Sequence, residues 1–230
     1  MKPTLILSII LSASLAIITS AKEPMPTTSE QQAALTPDKV LTELMEGNKR
    51  YVAGTPTKRD HLAAIKATAT GQYPKAVILS CLDSRVPVEQ VFDQGIGDIF
   101  VGRVAGNVEN EDQLGSMEFA TKVAGSKLVM VLGHEACGAV KGACDHVELG
   151  NLTALLAKIK PAVDVVKGHE DARTSKNPAF VAEVVEANVR KTVTDIRAKS
   201  PVLREMETKG EIKIVGALYS LHDGSVTLLD

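Results

Sequence analysis

The sequence predicts an α/β fold: a mostly parallel central sheet of four strands plus an antiparallel edge strand, flanked by helices. Three observations carry this. Short apolar runs at 76–80, 99–103, 128–132 and 212–218 have the length and the Val, Ile and Leu content of strands buried on both faces. Segments with apolar residues at helical spacing separate them, the alternation that builds parallel sheets. Last, the turn His222-Asp223-Gly224 leads into an apolar stretch at 225–229, the pattern of a closing edge strand. A chain of 230 residues has room for one domain with a sizeable core.

In chain order, residues 3–21 carry no charge and follow a single Lys2. The apolar stretch with interspersed Ser and the small Thr19-Ser20-Ala21 predict an export signal over residues 1–21, cut after about Ala21. The mature protein is then expected to be periplasmic or secreted, with no stable membrane association. An uncleaved anchor is the alternative, since such a stretch reaches the ~17–25 residues that span a bilayer; the Ser residues favour the signal. Residues 22–36, with Pro24, Pro26 and a Thr-Thr-Ser run, lack periodicity and read as a flexible linker to one domain, 37–230. Thr36-Pro37 opens a helix as N-cap and first-turn proline, with Val40, Leu41, Leu44 and Met45 on one face. Further helices are expected over 61–70 and 111–123. Another follows Asn151 as its cap, with Leu152, Leu155, Leu156 and Ile159 in phase. Asn177-Pro178 opens the longest helix and Ser200-Pro201 a short last one.

Apolar residues make up 44% of the chain and charged ones 23%, ordinary for a globular protein. A net charge of −2 provides no basic field for nucleic acid. Trp is absent and Tyr and Phe are few, against binding by stacking, so a small-molecule substrate fits better. The Gly95-Ile96-Gly97 stretch lacks the further glycine of a dinucleotide fingerprint. Gly133 to Gly138 has phosphate-loop spacing, but Ala139 stands where Lys is required. No G-x-S-x-G nucleophile motif is present.

The informative residues follow two of the strands. Cys81, Asp83 and Arg85 come after the first; His134 and Cys137 come after the third. Ligands of open parallel sheets gather at the carboxyl ends of the strands, so neighbouring strands would bring these groups together. Two thiolates, an imidazole and a carboxylate make a tetrahedral zinc set. In an extended segment Cys81, Asp83 and Arg85 would point to one side, where Arg85 can hold Asp83 in a two-pronged pair. Cys137 is placed where a helix begins, which favours its thiolate. Cys144, seven residues on and about 10 Å along that helix, is out of disulfide reach and reads as a buried thiol. Taken singly, each residue also has a plain reading as a buried thiol, a core histidine or an ion pair; it is their convergence that points to a metal.

The stretches 81–87 (CLDSRVP), 100–107 (FVGRVAGN) and 133–140 (GHEACGAV) resemble the β-class carbonic anhydrases, and the resemblance runs from about Pro37 to Leu229. It implies one zinc per subunit bound by Cys81, His134 and Cys137. Asp83 is then either a fourth ligand at rest or the acceptor for a water on the metal. The implied reaction is reversible hydration of CO2 to bicarbonate by hydroxide on the zinc, with Asp83 and Arg85 orienting it. The resemblance also implies that Gln72, Phe100, Ala105, Phe119 and Gly138 contact substrate, some of them from a neighbouring subunit of a homodimer or higher homo-oligomer. Phe119 stands where some members have Tyr. The non-catalytic bicarbonate site of some members requires a Trp, which this chain lacks. Two alternatives use the same residues: hydrolysis of CS2 or COS, and a structural zinc module without catalysis.

Overall fold

The computed structural model describes residues 23–229; the predicted export signal, 1–21, lies outside them. The first elements described are α1 (Ser29–Ala33) and α2 (Pro37–Val52), followed by α3 (His61–Thr68), β1 (Ala76–Ser80), α4 (Val88–Val91) and β2 (Ile99–Arg103). A 3-10 turn (Ala105–Asn107) leads to α5 (Glu111–Glu118), which runs into a π-helical stretch (Phe119–Val123). Then come β3 (Leu128–His134), α6 (Gly138–Cys144), α7 (Gly150–Val165), α8 (Pro178–Lys199), α9 (Pro201–Thr208), β4 (Lys213–Tyr219) and β5 (Val226–Leu229).

The five strands form one sheet in the order β2-β1-β3-β4-β5, parallel except for β5. β1 and β3 are fully buried and lie side by side, Ser80 level with Leu132. Their sequences are apolar runs because helices cover both faces. On one face Ile78, Met130, Leu132 and Ala217 pack under α2 and α4, through Val40, Leu44, Val88 and Phe92. On the other, Val77, Leu79, Val129 and Val131 meet α8 and α9, through Val189, Ile196 and Leu203. Alternation along β1 puts Cys81 on the α8 face. It joins a second cluster there with Cys137, Ile159 and Val184. Gly133 and Gly216 let α8 settle close to the sheet, since an added Cβ would stand 2.4 and 2.8 Å from Val189.

Helix starts follow their caps. Thr36 accepts from the Lys39 amide, Asn177 from Phe180 and Ser200 from Leu203, each before a first-turn proline. Several expectations change. α7 begins at Gly150, with Leu149 as its cap residue, so Asn151 lies in the first turn and does not cap. Gly150 takes φ +42, and Thr153 Oγ1 accepts from Leu149 N at 2.9 Å. The 111–123 helix does not stay α-helical. It ends in i→i−5 bonding, Ala124 N–H to Phe119 O at 2.9 Å. β3 extends to His134, and β4 lies one residue later than expected. The stretch read as a flexible linker, 22–36, carries a docked turn in its second half. Thr28 and Gln31 close a capping box around α1, and buried Gln32 Nε2 donates to Pro74 O (2.7 Å) and Ala124 O (2.8 Å). A polar anchor of this kind leaves no trace in apolar periodicity.

Among the described residues no helix is long and apolar enough to cross a membrane.

Candidate active site

Adjacent strand ends deliver the ligand set. Cys81 directly follows β1, His134 ends β3, and Cys137 is the N-cap residue of α6. One donor atom from each of Cys81, His134 and Cys137 lies within 4.8 Å of the others, and all three residues are buried. The sulfurs of Cys81 and Cys137 are 3.9 Å apart and not joined by a disulfide. Two sulfurs each about 2.3 Å from one tetrahedral ion stand about 3.8 Å apart, so the spacing fits a shared metal. His134 fits as well. Its Nδ1 donates to the Glu135 carbonyl at 2.8 Å, which leaves the lone pair on Nε2. That atom is buried with no hydrogen-bond partner among the described residues. An imidazole pinned through one nitrogen to a backbone carbonyl, with the other bare and facing thiols, is built as a metal ligand.

The thiols differ in character. The Cys137 thiol hydrogen-bonds Cys81 and drives its pKa down against the cost of burial, with His134 and the Gly106 amide helping. The neighbouring Cys81 sulfur and burial push the Cys137 thiol up, while the amides of Val140 and Ala139 at the start of α6 act the other way.

Asp83 stands beside this cluster, its Oδ2 3.8 Å from His134 Nε2. The Arg85 guanidinium grips it with two bonds, Nε to Oδ1 at 2.9 Å and Nη2 to Oδ2 at 2.7 Å. That pair holds the carboxyl well below the usual carboxylate range, against the opposing effect of burial. The pair forms as expected, but the segment is a turn and not extended. Arg85 N also donates to Asp83 Oδ1 at 2.9 Å, and Val86 N to Asp83 O at 3.1 Å. Among the described residues Oδ1 thus has two donors and Oδ2 only one. The oxygen with a lone pair to spare is the one nearest the ligand cluster.

Two further groups hold the loop. Arg103, at the end of β2, donates to Cys81 O (3.0 Å) and Asp83 O (2.5 Å). Gly106 donates its amide to Cys81 Sγ at 3.3 Å. Sequence reasoning assigned neither a role. The one available signal was an arginine closing an otherwise uncharged, largely apolar strand.

Of the residues implied to touch substrate, Ala105 and Gly138 border the cluster: Ala105 is half-buried next to Gly106, and Gly138 is the exposed first residue of α6. The chain by itself does not bring the other three there. Gln72 is exposed and precedes β1, at the end opposite Cys81. Phe100 is level with Val77, four residues before Cys81 and so roughly 13 Å back along the strand. It meets Phe119 edge-on, ring centres 6.2 Å apart, in a groove of about 810 Å3 along the outer edge of β2.

The carbonic anhydrase family model matches residues 76–226, a span that contains the whole cluster. Carbonic anhydrase 2 of Mycobacterium tuberculosis is 39% identical over 196 residues, covering 81% of this chain and 90% of that protein. The carbonic anhydrase of Mycolicibacterium smegmatis is 36% identical over 191 residues, covering 80% and 89%. A solved β-carbonic anhydrase of Aspergillus fumigatus superposes with a TM-score of 0.64 at 25% identity, covering 83% of this chain and 91% of that one. With a ligand cluster of this geometry inside the matched span, the chain belongs to the β-class carbonic anhydrase family.

Proposed function

We propose that the chain catalyses reversible hydration of CO2 to bicarbonate with one Zn2+ per subunit held by Cys81, His134 and Cys137. The carrying observation is the bare, buried Nε2 of His134 facing two thiols, with the uncommitted lone pair of Asp83 beside it. A divalent ion bound there supplies the Lewis acidity that makes water nucleophilic near neutral pH. The protein's own groups do the rest. Arg85 keeps Asp83 ionised, so Asp83 accepts a hydrogen bond from the attacking water and does not take its proton outright. Oδ2 directs that bond, because Oδ1 is fully occupied. Arg103 fixes the carbonyls on either side of the loop and keeps Asp83 at a set distance from the ligands. Ala105 forms an apolar wall, and the Gly138 amide binds bicarbonate. Among the described residues three donors make up the tight cluster, whereas structural zinc sites take four, which favours a catalytic centre over a structural module.

Gln72, Phe100 and Phe119 serve substrate across a subunit boundary, in a homodimer or higher homo-oligomer. In support, β2 is an open sheet edge and Phe119 beside it is 51% exposed. Light scattering tests this: a monomer at working concentration rules it out. Residues 1–21 act as an export signal, the remainder being a periplasmic or secreted domain over 37–230 joined through 22–36. Sequencing the mature N-terminus decides between this and retention of Met1.

The function itself is tested by stopped-flow CO2 hydration on protein of measured zinc content, before and after chelation. Activity should follow zinc and return on its re-addition. Turnover of CS2 or COS with none of CO2 would reassign the substrate, and chelator-insensitive hydration would remove the metal from the account.

A further inference from the structure

The inward face of α8 is apolar through Val184, Val185, Val189 and Ile196, and two polar residues interrupt it, Asn188 at its middle and Thr192 one turn on. Asn188 is 1% exposed. Its Nδ2 donates to the Gly106 carbonyl at 2.8 Å, across 82 residues of sequence. Its Oδ1 is buried without a partner among the described residues. A buried amide left half-satisfied costs stability that leucine in the same place would not, so packing alone does not account for it. What it holds is unusual as well. Gly106 has φ +71, and an added Cβ would lie 2.6 Å from Ile159 Cδ1. Only glycine fits this turn, and its amide donates to the Cys81 sulfur.

We propose that Asn188 is a positioning residue of the metal site: by gripping the Gly106 carbonyl it sets the rotation of the 105–107 turn, so that the Gly106 N–H donates to Cys81 Sγ. Groups that hydrogen-bond a ligand orient it and tune its basicity, and losing them costs about 10–100-fold in metal affinity or activity. The sulfur that receives this bond donates less charge to an ion than one without it. Asn188 thereby links the long helix to the electronic character of one ligand without touching the ion or the substrate.

This inference rests on the metal reading of the site, and the test separates the two. On the purified full chain, zinc affinity is measured by competition with a chromophoric chelator, and the thiolate-to-metal charge-transfer band is recorded after cobalt substitution. Asn188→Leu should weaken zinc binding about 10–100-fold and shift the cobalt band. Ile196→Val, two turns along the same helix and away from Gly106, should leave both unchanged while loosening the packing. If the leucine variant does not fold, Asn188→Ala is compared in its place. A folded Asn188 variant with native zinc affinity and an unshifted band overturns the proposal while leaving the metal centre intact. A wild-type chain that shows no thiolate-to-cobalt band overturns the metal reading itself.

Discussion

Asp93 provides the sharpest quantitative prediction. It sits just after α4, with its side chain 2% exposed, and it accepts from three directions. Arg50 Nε on α2 bonds Oδ2 at 2.6 Å, Arg59 Nη1 bonds Oδ1 at 2.6 Å, and Thr57 contributes its hydroxyl to Oδ2 at 2.6 Å and its amide. This clamp ties α2 and the 53–60 loop to the far end of the segment that carries Asp83 and Arg85. Asp93→Asn is the clean perturbation, because Asn tolerates the φ of +48 found there. It removes the charge and turns an amide nitrogen towards a guanidinium. Breaking a buried pair costs roughly 3–5 kcal/mol. Arg59 is 16% exposed but Arg50 is 39%, so the lower end applies, about 3 kcal/mol. At about 2–4 °C per kcal/mol for a chain of this size, Tm at pH 7 should fall by about 6–12 °C.

The pH dependence of that gap checks the cause. Hydrogen bonds from Arg59, Thr57 and Arg50 outweigh burial and bring the Asp93 pKa from 3.8 down to about 2. A depressed carboxylate pKa contributes stability above the unfolded-state value, and that contribution is lost as pH falls through the folded one. The difference amounts to about 2.5 kcal/mol at 1.36 kcal/mol per tenfold change in proton affinity. The wild-type advantage over Asp93→Asn should therefore hold down to about pH 5 and shrink between about pH 4 and pH 2. Calorimetry or circular dichroism melts of both proteins over that range provide the comparison, and acid loss of metal, common to both, cancels in the difference. A Tm drop under about 2 °C at pH 7, or a gap that does not change in acid, would refute the reasoning.

Three shorter predictions concern the site. Asp83→Asn should bind zinc normally yet lose about 100-fold or more in kcat, since only the aiming of the nucleophile is lost; near-native kcat in stopped-flow assays would remove Asp83 from the mechanism. Arg103→Leu should lower kcat about 10-fold or more at unchanged zinc content, because the loop carbonyls of Cys81 and Asp83 lose their donor. Equal activity would make Arg103 a bystander. His134→Ala should release the metal, measured by plasma emission spectrometry of dialysed protein, and lower Tm as the binding free energy is withdrawn from folding. Full zinc retention would mean that the imidazole is no ligand.

The readable parts of this chain share a physical cause. β1 and β3 are sandwiched between helices, so their sequences are unbroken apolar runs, and the residues after them fall at one edge of the sheet. That logic alone brought Cys81, His134 and Cys137 together. Capping by Thr36, Asn177 and Ser200 was readable because a short polar side chain before proline has few other uses. The unreadable parts depend on backbone partners far away in sequence. Gln32, Arg103 and Asn188 each answer carbonyl groups 20 to 92 residues distant, and no local pattern encodes such pairings. The 81–85 segment is a turn where side-chain alternation predicts an extended run, for a related reason. Whether an aspartate caps its own backbone depends on where the following arginine is held, and here Asp83 supplies the partner itself.

The central claim is that two sulfurs and one imidazole nitrogen from adjacent strand ends hold a zinc ion. X-ray absorption at the zinc edge of the purified protein addresses it directly. The account predicts a shell of two sulfurs near about 2.3 Å and lighter nitrogen or oxygen neighbours near about 2.0 Å, with one sulfur lost in either Cys81→Ser or Cys137→Ser. A zinc environment without sulfur, or one unchanged by both substitutions, would contradict it.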